Sequence, residues 1–150
     1  MKRLMYLAFL FFTVVASAQM KKNNLLNWHT NLEEAQAISK ENDKPILLYF
    51  TGSDWCAPCK MLKEDFFESP KFKEKAKDLV LVVIDYPRKV DLLSQKQLDY
   101  NKTVIAQYNK QQTFPKILML NPRGKELGKI SGYSPSRDTS EHFKFLDEHL

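Results

Sequence analysis

Apolar positions along this chain come in short blocks that alternate between helical and extended spacing. From Thr30 to Asn42, Leu32, Ala35, Ala37 and Ile38 fall near helical spacing and Thr30 with Glu33 forms a capping box, so a first helix is expected. Lys44-Pro45 ends it. Ile46-Leu47-Leu48-Tyr49-Phe50 is then a continuous apolar run, too short for a helix, and reads as a strand buried on both faces of a sheet. Thr51-Gly52-Ser53-Asp54 breaks that run, and Lys60 to Phe67 is expected to be helical, with Met61, Leu62, Phe66 and Phe67 available to a core.

Ser69-Pro70 opens a short helical piece through Ala76, because serine caps a helix and proline is tolerated in its first turn. Leu79 to Ile84 is a second buried strand. Tyr86 to Ser94 is polar and irregular, and Gln95 to Tyr108 is a helix through Leu98, Val104, Ile105 and Tyr108 with a break near Asn101. Ile117 to Leu120 is a third strand, Asn121-Pro122-Arg123-Gly124 a turn, and Leu127 to Ser131 a fourth strand. Asp138 with Glu141 suggests the cap of a closing helix whose Phe143, Leu146 and Leu150 share a face. This order predicts an α/β domain: a central mixed, mostly parallel sheet of four or five strands, with an antiparallel edge hairpin, flanked by helices.

The chain has 150 residues, 43% hydrophobic and 27% charged, which suits one globular domain with a single core. Its start is different in kind. Lys2 and Arg3 precede an apolar run from Leu4 to Val15, and Ala16-Ser17-Ala18 follows, the order of an export signal with cleavage after Ala18. The run is shorter than the ~20 apolar residues of a spanning helix. Residues 1–18 are therefore expected to be a signal peptide and 19–150 the working domain, exported to the periplasm or secreted; an uncleaved N-terminal anchor is the other reading. The formal net charge is +5, of which Lys2 and Arg3 supply two units, and the other lysines are interspersed with acids as in Lys71 to Asp78. That is a solvated surface, and it gives no reason to expect a nucleic-acid partner.

The chemistry resides in the only two cysteines, Cys56 and Cys59, in Trp55-Cys56-Ala57-Pro58-Cys59-Lys60. They fall where a strand has ended and a helix begins. A cysteine there meets unpaired backbone N–H groups and the positive end of the helix dipole, which stabilise a thiolate. A second one three residues on, one turn deeper on the same face, is close enough to close a disulfide. Cys56 is thus the expected nucleophile and Cys59 the resolving thiol of a dithiol–disulfide cycle. Trp55 would shield the thiols and offer contact area to a peptide, with Tyr133 assigned to the same rim.

With Thr113-Phe114-Pro115 entering the strand Ile117 to Leu120, this motif and its strand-then-helix setting resemble the thioredoxin superfamily from about Trp28 to Leu150. Lys44-Pro45-Ile46, Phe66-Phe67 and Ser69-Pro70 look more like its periplasmic branch, including the C-terminal domain of DsbD, than cytosolic thioredoxin. The resemblance implies a thioredoxin-like fold, Pro115 as a cis-proline facing the disulfide, the Phe114 backbone beside the sulfurs for a substrate strand, and Pro58 within the C-x-P-C core of the reducing type. It implies a protein-disulfide reductase acting on exported proteins, fed by a membrane-bound electron donor, monomeric, with no cofactor and no metal. One departure stands out: thioredoxins carry a buried acid in the strand before the motif, and Tyr49 occupies that place here, leaving Asp54 and Glu64 as the nearby carboxylates.

Other readings of the cysteines are a structural bridge, which closes too small a loop to restrain the unfolded chain much, and half of a zinc site. His29, His142 and His149 lack ligand spacing, and His142 with His149 reads as a surface pair. A second function class stays open, a non-enzymatic thioredoxin-fold binding module acting as chaperone or metallochaperone.

Overall fold

The computed structural model describes residues 26–150, so the expected signal segment 1–18 lies outside it. Five strands form one sheet in the order β1-β3-β2-β4-β5: β1 Trp28–His29, β2 Ile46–Thr51, β3 Val80–Asp85, β4 Lys116–Leu120 and β5 Glu126–Ser131. β1 and β2 both run parallel to β3, whereas β4 is antiparallel to β2 and β5 to β4. The mixed sheet is as expected, but antiparallel pairing reaches its centre, because the chain returns along β2 by way of β4. The two-residue β1 was not foreseen; so short a segment has no period to read.

The central position of β2 explains its unbroken apolar sequence. All six of its residues are buried, and successive side chains point to opposite faces. Leu47 and Tyr49 join Phe66, Phe67, Phe72, Leu81, Ile117, Met119, Phe143 and Leu146 on one face. Ile46, Leu48 and Phe50 join Leu32, Ala35, Val80, Val82, Ile84, Val104, Ile105, Leu118 and Leu120 on the other. The first layer is covered by α2 Ala57–Leu62, α3 Pro70–Lys75 and α5 Ser140–Asp147, the second by α1 Leu32–Asn42 and α4 Gln95–Tyr108.

Several helix ends differ from expectation. α1 is capped by Asn31, whose side chain accepts from the Glu34 N–H, so the cap sits one residue beyond Thr30. α2 begins at Ala57 and passes into a wide π turn over Lys63–Phe67, which buries Phe66 and Phe67 in succession while Glu64 and Asp65 reach Arg137. α4 is unbroken at Asn101, which is buried and donates through Nδ2 to the Asp85 carbonyl. Thr139 rather than Asp138 precedes α5; Asp138 accepts from the Ser140 N–H and hydroxyl. Phe143 and Leu146 are buried with His142 and Phe145, but Leu150 is 49% exposed, beyond the end of the helix. No helix among the described residues is long and apolar enough to cross a membrane.

Candidate active site

Cys56 and Cys59 form a disulfide, S–S 2.13 Å, at the start of α2. The β2 strand ends at Thr51, and Gly52 folds the chain back: its carbonyl accepts from the Trp55 and Cys56 N–H groups at 3.2 and 2.8 Å. Cys56 is the N-cap of α2, its sulfur accepting from the Cys59 N–H at 3.3 Å, and Pro58 occupies the first turn, where a missing N–H costs nothing. The sulfur thus occupies the place of a capping oxygen.

In this form Cys56 is 3% and Cys59 1% exposed, so both are buried.

The second wall is the turn before β4. Phe114–Pro115 is a cis peptide bond, as the resemblance implied. Asn109, fully buried, holds this turn by donating to the Thr113 carbonyl at 2.8 Å and accepting from the Thr113 N–H at 3.1 Å. The Phe114 ring lies edge-on to Trp55 with centroids 5.5 Å apart, and stacks on Tyr86 at 6.3 Å. Trp55 donates through Nε1 to the Tyr86 carbonyl at 2.8 Å, and the Arg88 guanidinium carbon lies 4.6 Å from its ring.

Tyr86 and Arg88 lie in the polar, irregular stretch Tyr86 to Ser94, whose local pattern does not mark them as part of a site. A usable signal existed: loops at the C-terminal ends of adjacent parallel strands share one edge of the sheet. Since β2 and β3 pair Thr51 with Asp85, whatever follows Asp85 meets whatever follows Thr51. Asp85 accepts from the Ser53 N–H and hydroxyl at 2.9 and 2.6 Å. Asp54 accepts from the Arg88 and Lys89 N–H groups, both at 3.0 Å. Desolvation would raise the Asp54 pKa, but the Arg88 and Lys89 amides outweigh it and hold the carboxyl below its ordinary value.

Neither nearby carboxylate is turned to the sulfurs. Asp54 is committed to the loop after β3, and Glu64 pairs with Arg137 at 3.1 Å. The polar group behind Cys59 is the Tyr49 hydroxyl, which donates to the Cys59 carbonyl at 3.3 Å. Burial pushes the phenol up to about 12.

Tyr133 does not belong to the Trp55 rim. It is buried in the layer with Phe66 and Phe143, and its hydroxyl donates to Asp65 at 2.8 Å because the chain after Gly132 turns back toward the π turn. His142 is likewise not a surface residue: it is 5% exposed, between Phe66 and Tyr133 with ring centroids 5.5 Å from each. Only His149 of that pair remains partly exposed. Among the described residues no group of three or more His, Cys, Asp or Glu is arranged to hold a metal ion.

A C-x-x-C disulfide capping a helix at the end of a central strand, beside a cis-proline turn whose Phe114 ring packs on Trp55, defines a thioredoxin-type site, and the chain belongs to the Thioredoxin-like family, which it matches over residues 27–122. It is 36% identical over 111 residues to the disulfide bond reductase DsbH of Chlamydia pneumoniae, covering 73% of this chain and 64% of that protein. It is 26% identical over 121 residues to the thioredoxin-related protein DsbJ of the same organism, covering 78% of this chain and 33% of that one. The chain therefore spans less than two thirds of the length of either relative. A solved structure of a DsbH oxidoreductase superposes with a TM-score of 0.70 at 33% identity, covering 81% of this chain and 83% of that one.

Proposed function

We propose that this chain is a thiol:disulfide oxidoreductase that reduces disulfides of exported proteins by cycling Cys56 and Cys59 between dithiol and disulfide. The observation that carries the reading is the Cys56–Cys59 bridge at the N-cap of α2, next to Trp55, on which the ring of Phe114 from the cis-proline turn packs. In the reduced protein the Cys56 thiolate attacks one sulfur of a substrate disulfide. The other substrate sulfur leaves as a thiolate and takes up a proton. Cys59 then gives up its proton and attacks the Cys56 sulfur, forming the internal disulfide and releasing the second substrate thiol. Two electrons have passed to the substrate, and a membrane-bound dithiol donor restores the protein.

The reducing direction is supported by the intervening Ala57-Pro58, which places no histidine or charged donor between the cysteines. The name of DsbH supports the same direction. The N-terminal pattern supports export to the periplasm, with 1–18 as the signal and 19–150 as the working domain. Trp55, Pro58, Phe114 and Pro115 are assigned to substrate contact and support, and the narrower likeness to the C-terminal domain of DsbD belongs with these proposals.

The test is reduction of insulin disulfides with dithiothreitol as the electron source, paired with trapping. Turnover is expected for the wild-type chain and abolished by Cys56→Ser, whereas Cys59→Ser accumulates mixed disulfides through Cys56 that are seen on non-reducing gels. Absence of turnover by the wild-type chain favours the binding module, and equal trapping by both variants refutes the assigned roles.

A further inference from the structure

Charges around the disulfide loop are used unequally. Two of the acids are consumed internally, Asp85 by the Ser53 amide and hydroxyl and Asp54 by the Arg88 and Lys89 amides, while Asp91 is exposed farther along the loop. The cations are not. Lys60 donates to the Asp54 carbonyl, a neutral acceptor, at 3.0 Å. Arg88 and Lys89 take part in none of the ion pairs among the described residues. Both are exposed.

Arg88 is also oriented. Its guanidinium lies over the indole of Trp55, the residue next to Cys56. The Asp54 carboxylate fixes its backbone, and the Tyr86 carbonyl holds the indole beneath it. A guanidinium held over an aromatic ring makes no hydrogen bond to it, so its N–H donors stay available to a carboxylate, which they can grip with two parallel hydrogen bonds. The same loop leaves Val90 86% and Leu92 48% exposed, apolar area that a docked polypeptide would cover.

We propose that Arg88 is a specificity-determining residue, which binds a carboxylate beside the substrate's disulfide and so directs the protein to acidic polypeptide segments. The inference rests on the reductase reading of Cys56 and Cys59. Binding at Arg88 sets the substrate cystine next to Trp55 before attack, so the effect falls on kcat/KM.

The experiment uses the pre-reduced chain in single turnover, its own dithiol supplying both electrons. Two peptide disulfides are compared, identical except for glutamate or lysine beside each half-cystine, and the peptide thiol formed is measured after acid quenching and chromatographic separation from the protein. The wild-type chain is expected to reduce the glutamate peptide roughly fivefold faster, the size of an exposed ion pair. The preference should collapse in ~1 M salt, where screening acts over about 3 Å. Arg88→Gln removes the preference, Arg88→Glu reverses it, Arg88→Lys restores part of it, and the remote Lys144→Gln leaves it intact. Equal rates for the two peptides, or a preference that survives Arg88→Gln, overturn the role of Arg88 while leaving the reductase reading standing. Reduction of neither peptide overturns both.

Discussion

The hydroxyl of Tyr49 donates a hydrogen bond to the carbonyl oxygen of Cys59 across 3.3 Å, inside the core layer beneath the active-site helix. This is where the family resemblance led to the expectation of a carboxylate. A phenol whose pKa is pushed up to about 12 by burial stays neutral at any ordinary pH and cannot take the proton of the Cys59 thiol. Its role is to tie helix to strand.

Tyr49→Phe should therefore lower stability by about 0.5–1.5 kcal/mol, the net worth of one hydrogen bond, because the Cys59 carbonyl still accepts from the Lys63 N–H. The pH profile of disulfide reduction should keep its shape. Urea titration reads the first effect, and single-turnover rates from pH 5 to 9 read the second. An inflection present in the wild-type chain and missing from the variant would mean that Tyr49 exchanges a proton after all.

Gly52 is required for space. A Cβ built there would fall 2.3 Å from Cε2 of the Trp55 indole. Gly52→Ala must push the ring off its seat, away from the Tyr86 carbonyl and Arg88. Overpacking of this kind costs about 1–3 kcal/mol, and the reductase rate should fall because Trp55 adjoins Cys56. An alanine variant with wild-type urea midpoint and rate would show that the indole is not held where the structure places it.

How much of this was legible in the sequence depends on the range of the interaction. β2 could be read because five apolar residues in a row, Ile46 to Phe50, leave a local trace, and the N-cap cysteine could be read because strand, break and helix adjoin in the chain. Arg88 could not, since its meaning comes from Trp55, 33 positions away, through parallel pairing of β2 with β3. Asn109 looked like any polar residue after a helix, yet it braces the turn that carries Phe114 and Pro115. His142 was misread because a histidine on a mostly polar helix gives no sign that Phe66 and Tyr133 enclose it.

That enclosure makes His142 a determinant of acid stability. Burial holds its imidazole below the ordinary value of 6.5, against weaker upward pulls from the Gly132 backbone and Glu141, and Nδ1 has no hydrogen-bond partner among the described residues. The unfolded chain takes up a proton near pH 6.5, while the folded chain resists until a lower pH. The stability this neutral ring contributes is complete above about pH 6.5 and is lost as pH falls toward the folded value. His142→Phe keeps a ring in the site and removes the proton. The variant should lie within about 1.5 kcal/mol of the wild-type chain at pH 8, as a swap of similar volume does, and gain on it steadily as pH is lowered from 7 to 5. Urea midpoints of the two proteins across that range provide the measurement. A difference that stays constant with pH would mean that the folded and unfolded chains protonate this imidazole alike, so that burial does not hold it neutral.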